Sequence, residues 1–116
     1  MSKRRVVVTG LGIVSPVGNT VSAAWENIIS GKSGITRITR FDASNFASQI
    51  AGEVKDFDIQ QYLSVKEARR MDIFIHYGMA AAIQAIKDAG IEDVTHFDSE
   101  RIGVNIGSGI GGLPMI

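Results

Sequence analysis

The sequence predicts an α/β fold built on a largely parallel sheet, and three observations carry that prediction. Two runs rich in β-branched residues, the uninterrupted Val6-Val7-Val8 and Arg101-Ile102-Gly103-Val104-Asn105-Ile106, read as strands covered on both faces. Each leads into a glycine-rich stretch, Thr9 to Gly18 after the first and Gly107 to Gly112 after the second. Between them lies a long segment with helical periodicity, so strand and helix alternate. In such sheets ligands sit beyond the carboxyl ends of the strands, where both glycine loops fall.

Val6–Val8 reads as a central strand that ends at Gly10. Asn19 or Thr20 can cap a first helix through Ala23, Ala24, Trp25, Ile28 and Ile29, with Gly31 as its stop. Residues 32–63 carry scattered apolar groups among polar residues and read as surface loops with one short strand near Ile50 to Val54. Ser64-Val65-Lys66-Glu67 matches a capping box and predicts a helix from there to Gly90. Its apolar positions Met71, Phe74, Ile75, Gly78, Met79, Ala82, Ile83 and Ile86 recur every three or four residues. Ile91 is placed for the hydrophobic contact of a Schellman stop, and the small residues Gly78, Ala80, Ala81, Ala82 and Ala85 predict close packing on more than one side.

Composition narrows the chemistry. The 116 residues hold 12 basic and 12 acidic side chains, so net charge gives no reason to expect nucleic acid or an anionic membrane as partner. Zero cysteines exclude a disulfide scaffold, a thiolate metal site and a cysteine nucleophile within the chain. The apolar run after Lys3-Arg4-Arg5 is too short for a signal-peptide core or a bilayer span, which predicts a cytoplasmic protein.

Among candidate sites, Gly107 to Gly112 has G-x-G-x-x-G spacing but not the strand-first context or the later acidic residue of a dinucleotide site, and tight turns are the better account. Ser108 lacks the Gly-x-Ser-x-Gly elbow of a strained nucleophile. His76 borders the apolar stripe and reads as a half-buried histidine with a local hydrogen bond, His96 lies in a polar loop, and neither has a metal-type partner. Lys66, Arg69 and Arg70 share one face near the start of the long helix, where cations oppose the macrodipole. They read either as a dock for an acidic partner or phosphate, or as a solvated face paired with Glu67.

Taken together, several stretches resemble the N-terminal part of the bacterial β-ketoacyl-[acyl-carrier-protein] synthases, of the elongating synthase II type. They are Arg4 to Gly12, Ser15 to Thr20, Phe41-Asp42, Ala51-Gly52, Val54 to Phe57, Lys66-Glu67, Arg69 to Asp72, Arg101 to Gly103 and Ile106 to Leu113. The resemblance implies a thiolase-like five-layer αβαβα fold, of which residues 1–116 would be one incomplete N-terminal part, and a homodimeric parent enzyme. It implies decarboxylative condensation of an acyl group with malonyl carrier protein through a cysteine thioester, without a cofactor or metal. The family's cysteine and histidines lie downstream of the matching motifs, so no catalytic residue is expected here and the segment alone should be inactive. Two roles fall on matching positions: Ile110 as the acyl-tunnel gate, and Lys66, Arg69 and Arg70 as binders of acyl carrier protein. A non-catalytic carrier-binding module accounts for the same basic residues and the missing cysteine, and a dinucleotide-binding domain accounts for the last loop only.

Overall fold

A computed structural model describes residues 2–115. Helix α1 (Val21–Ile29) is followed by strands β1 (Ile35–Arg37) and β2 (Ile50–Gly52), then by helix α2 (Val65–Ala68) and helix α3 (Ile73–Ala89). Single 3-10 turns occupy Ile59–Gln61, Val94–His96, Ser99–Arg101 and Leu113–Met115.

The sheet differs from the expected one. Among the described residues it has two strands, β1 and β2, paired antiparallel with Ile35 opposite Gly52. Val6–Val8 and Ile102–Ile106 run without a ladder partner, and their side chains face solvent, Val6 at 94% and Val104 at 83% exposure. A β-branched run is a strand only when neighbours take up its amides and carbonyls, and these two runs have no neighbour within the described residues.

The helical expectations fare better at their ends than in the middle. Thr20 caps α1 by accepting the Ala23 amide at 3.2 Å, and Gly31 follows the helix at φ 72°. Only Ala24 of α1 is buried, whereas its large apolar residues Trp25, Ile28 and Ile29 are exposed. Ser64 and Glu67 form the predicted capping box, and Gly90 at φ 71° with the Ile91 amide on the Ile86 carbonyl closes α3 as a Schellman stop. Between those ends the single helix expected from Ser64 to Gly90 is broken. Arg70 and Met71 make i→i−3 bonds to Glu67 and Ala68, Asp72 turns extended (ψ 162°), and its side chain caps α3. Aspartate competes for nearby amides better than it sits inside a helix, and here the competition wins.

The glycine loop that follows Val6–Val8 and the end of the second unpaired run lie against α3. A Cβ on Gly10 or Gly12 would overlap the backbone of Ala85 or Ala81, and Ile106 approaches Gly78. Positions 78, 81, 85 and 89 form one stripe of small residues, which is the close packing the sequence predicts for this helix. Side chains of α3 also stand in for a neighbouring strand: Asp88 accepts the Leu11 amide at 2.9 Å and Gln84 the Ile13 amide at 3.2 Å. Gln84 in turn donates to the Asn19 carbonyl and the Tyr62 hydroxyl. Phe57 stacks on Tyr62 and meets Tyr77 edge-on at 5.1 Å, tying the connecting segment to the same helix.

Among the described residues the buried apolar side chains are all alanines: Ala24, Ala43, Ala68 and Ala80. The chain exposes 9566 Å², whereas a compact monomer of its mass exposes about 6,200 Å². Its radius of gyration is 17.5 Å, against about 13 Å for a compact domain of this length.

Candidate functional site

The two sequence motifs that carry charge and glycine meet at the N-terminus of α3. On one side is the α2–α3 turn. Ser64 accepts the Glu67 amide at 3.3 Å, while the Glu67 carboxylate takes the Ser64 amide at 3.1 Å and its hydroxyl at 2.6 Å. Those bonds, the hydroxyl's first, hold Glu67 below its ordinary carboxylate range. Glu67 is therefore committed to the cap and not to the neighbouring cations.

Lys66, Arg69 and Arg70 are exposed, and none forms an ion pair among the described residues. The expected single helical face is corrected here: Lys66 lies in α2, while Arg69 and Arg70 lie in the break that follows it. Arg69 and Arg70 follow the carbonyl end of the one-turn α2 but also stand just before the N-terminus of the longer α3, whose dipole disfavours them. His76 bonds locally, its Nε2–H donating to the Ala68 carbonyl at 2.8 Å, which also accepts the Met71 amide at the break. It is half-buried, as the sequence predicts. His96 faces Asp93 at 3.5 Å on the surface.

On the other side is the second glycine loop. Gly111 adopts φ 77° against the Phe74 ring, and a Cβ on Gly112 would overlap the Asp72 carboxylate. Glycine is thus required at both places for the loop to seat on the first turn of α3. Ile110, one residue before that seat, projects at 71% exposure. An open apolar cleft of about 430 Å³ is lined by Phe74, Ile75, Gly78, Met79, Ile106 and Ser108; Ile110 is not part of its wall. Ser108 is part of this wall, with no base beside it. The loop runs into a single 3-10 turn and not, within the described residues, into a helix that would hold a pyrophosphate.

Sequence reasoning missed Asp72 as a cap, although an aspartate directly before the apolar Ile73-Phe74-Ile75 run is a helix-start signal. It also missed Arg40, whose guanidinium donates to the Tyr77 hydroxyl at 2.9 Å; no local pattern marks two residues 37 positions apart.

The sequence profile of the "Beta-ketoacyl synthase, N-terminal domain" family matches residues 3–115. The chain belongs to this family. The β-ketoacyl synthase segment is 59% identical over its full length to 3-oxoacyl-[acyl-carrier-protein] synthase 2 of Vibrio harveyi and 53% identical to that of Coxiella burnetii. It spans 28% of the length of each of these curated relatives. Among solved structures it is similar to the ishigamide ketosynthase/chain length factor, with a TM-score of 0.68 and 35% identity over 79% of this chain and 23% of that one. It is also similar to a chain of a type II PKS acyl-carrier protein in complex with its ketosynthase, with a TM-score of 0.61 and 32% identity over 82% of this chain and 24% of that one. No helix among the described residues is long and apolar enough to cross a membrane.

Proposed function

We propose that this chain is the carrier-docking and acyl-selecting part of a 3-oxoacyl-[acyl-carrier-protein] synthase 2 that elongates fatty acids by decarboxylative Claisen condensation. The observation that carries this reading is the cluster of three exposed, unpaired cations at the α2–α3 turn, set against the same helix end as the glycine loop of Ile110. An acidic carrier protein delivers its acyl group as a thioester on a flexible arm, and a synthase that uses it needs a basic landing surface close to the entrance of its acyl pocket. Lys66, Arg69 and Arg70 would supply the first, and the loop carrying Ile110 lies at the same helix end as the apolar cleft that would serve as the second. The similarity to a ketosynthase structure that includes an acyl-carrier protein supports the same partner.

In the reaction a cysteine thiolate takes the acyl group, malonyl carrier protein loses CO2, and the carbanion attacks the thioester to give a β-ketoacyl carrier protein. The chain has no cysteine, so the nucleophile belongs to another part of the enzyme and residues 1–116 are inactive alone. The parent is a cytoplasmic homodimer with a thiolase-like five-layer fold, in which Val6–Val8 and Ile102–Ile106 find the sheet neighbours they lack here. Ile110 gates the acyl tunnel.

Charge reversal tests the docking role. In the full-length synthase, Arg69→Glu with Arg70→Glu should raise the KM for acyl carrier protein at least tenfold at low salt and less at high salt. kcat at saturating carrier should be retained. An unchanged KM removes the assignment.

A further inference from the structure

The Asp72 carboxylate has a divided environment that the capping role does not use up. Its Oδ1 accepts the Ile73 amide at 2.6 Å at the start of α3. Its Oδ2 is buried and has no hydrogen-bond partner among the described residues. That oxygen occupies the space a Cβ on Gly112 would fill, two residues after Ile110, while Arg70 lies two residues before Asp72. A buried carboxylate oxygen without a donor is costly, and a backbone amide of an adjacent glycine turn is the donor nearest in kind.

We propose that Asp72 is a positioning residue for acyl-chain selection: its second oxygen takes an amide proton of the Gly111-Gly112 turn when an acyl chain passes Ile110, fixing the gate loop against α3. This inference rests on the synthase reading above. The arrangement needs a carboxylate, because one side chain must accept in two directions, from Ile73 and from the loop. An asparagine keeps the cap and the shape but offers an acceptor on one side only. It also places the response of the gate next to the carrier-docking turn, since Asp72 ends that turn and begins α3.

The test compares kcat/KM for long-chain and short-chain acyl carrier protein in the full-length synthase, unsubstituted and as Asp72→Asn. The long-to-short ratio should change by about fivefold or more, the lower range of site-to-site coupling. Gly112→Ala, which presses a methyl group into the same oxygen, should move the ratio in the same sense, and the double variant should be less than additive. If Asp72→Asn lacks a native melting transition, Gly112→Ala decides by the same ratio. A folded variant whose kcat/KM values fall equally for both chain lengths, or not at all, overturns the role of Asp72. Absence of condensation in the unsubstituted enzyme would instead refute the synthase reading.

Discussion

At the scale of single residues, glycine and alanine position more of this molecule than its large apolar side chains do. Gly12 lies so close to α3 that its missing Cβ is what lets the first loop cross the helix, and the approach brings the Ile13 and Leu11 amides onto Gln84 and Asp88. Gly12→Ala in the full-length protein should therefore lower stability by about 1–3 kcal/mol, the range for forcing an extra methyl into a packed contact. A shift in urea midpoint reads this directly, and an unchanged midpoint would mean that the crossing is looser than its geometry. Much of this was legible beforehand: the glycines after Val8 and the alanines of the long helix both signal close backbone approach. That the two signals describe one contact was not legible, because nothing in either stretch names the other. Asp72 shows the opposite failure. Its neighbours Met71, Phe74 and Ile75 continue a helical period, and the period hides the cap that interrupts it.

Among the elements, capping chemistry proves the most readable from sequence and sheet pairing the least. The Ser64–Glu67 box, the Thr20 cap and the Gly90 stop are each encoded within a few residues, and all three are observed. Strand pairing depends on partners distant in the chain, so Val6–Val8 has the composition of a buried strand and still lies unpaired. The antiparallel β1–β2 pair was half visible, in β2 alone, since Ile35–Arg37 is three residues long and carries no turn signal linking it to Ile50. The α2 box also has a pH signature. Glu67 titrates below its ordinary value of 4.5 because the folded state hydrogen-bonds its ionised form, so the box contributes fully above that value and is lost as pH falls through the lower, folded one. Carboxyl NMR should place the Glu67 midpoint below 4.5, and Ser64→Ala should return it toward 4.5. A midpoint at the ordinary value in the unsubstituted protein would show that the box does not persist in solution.

For the whole molecule, the surface is the decisive quantity. The 9566 Å² exposed here exceeds the area of a compact chain of equal mass by about 3,400 Å². Much of the apolar excess lies on Val6–Val8, the Trp25–Ile28–Ile29 side of α1, and Val104 and Ile106. Exposed apolar area on this scale is a contact surface for more protein, in keeping with a segment that spans 28% of its curated relatives. The Ser64–Glu67 cap and the glycines of the second loop, by contrast, are local features that were legible from sequence, whereas the roles proposed for Lys66, Arg69, Arg70 and Ile110 rest on the family resemblance. If these 116 residues form the edge of a synthase, as proposed, their exposed apolar surface is covered by other parts of the fold. Sedimentation and thermal unfolding of residues 1–116 alone test it most directly. Association, dye-binding apolar surface and no cooperative transition are expected; a monomer that melts in one cooperative step would rule this out.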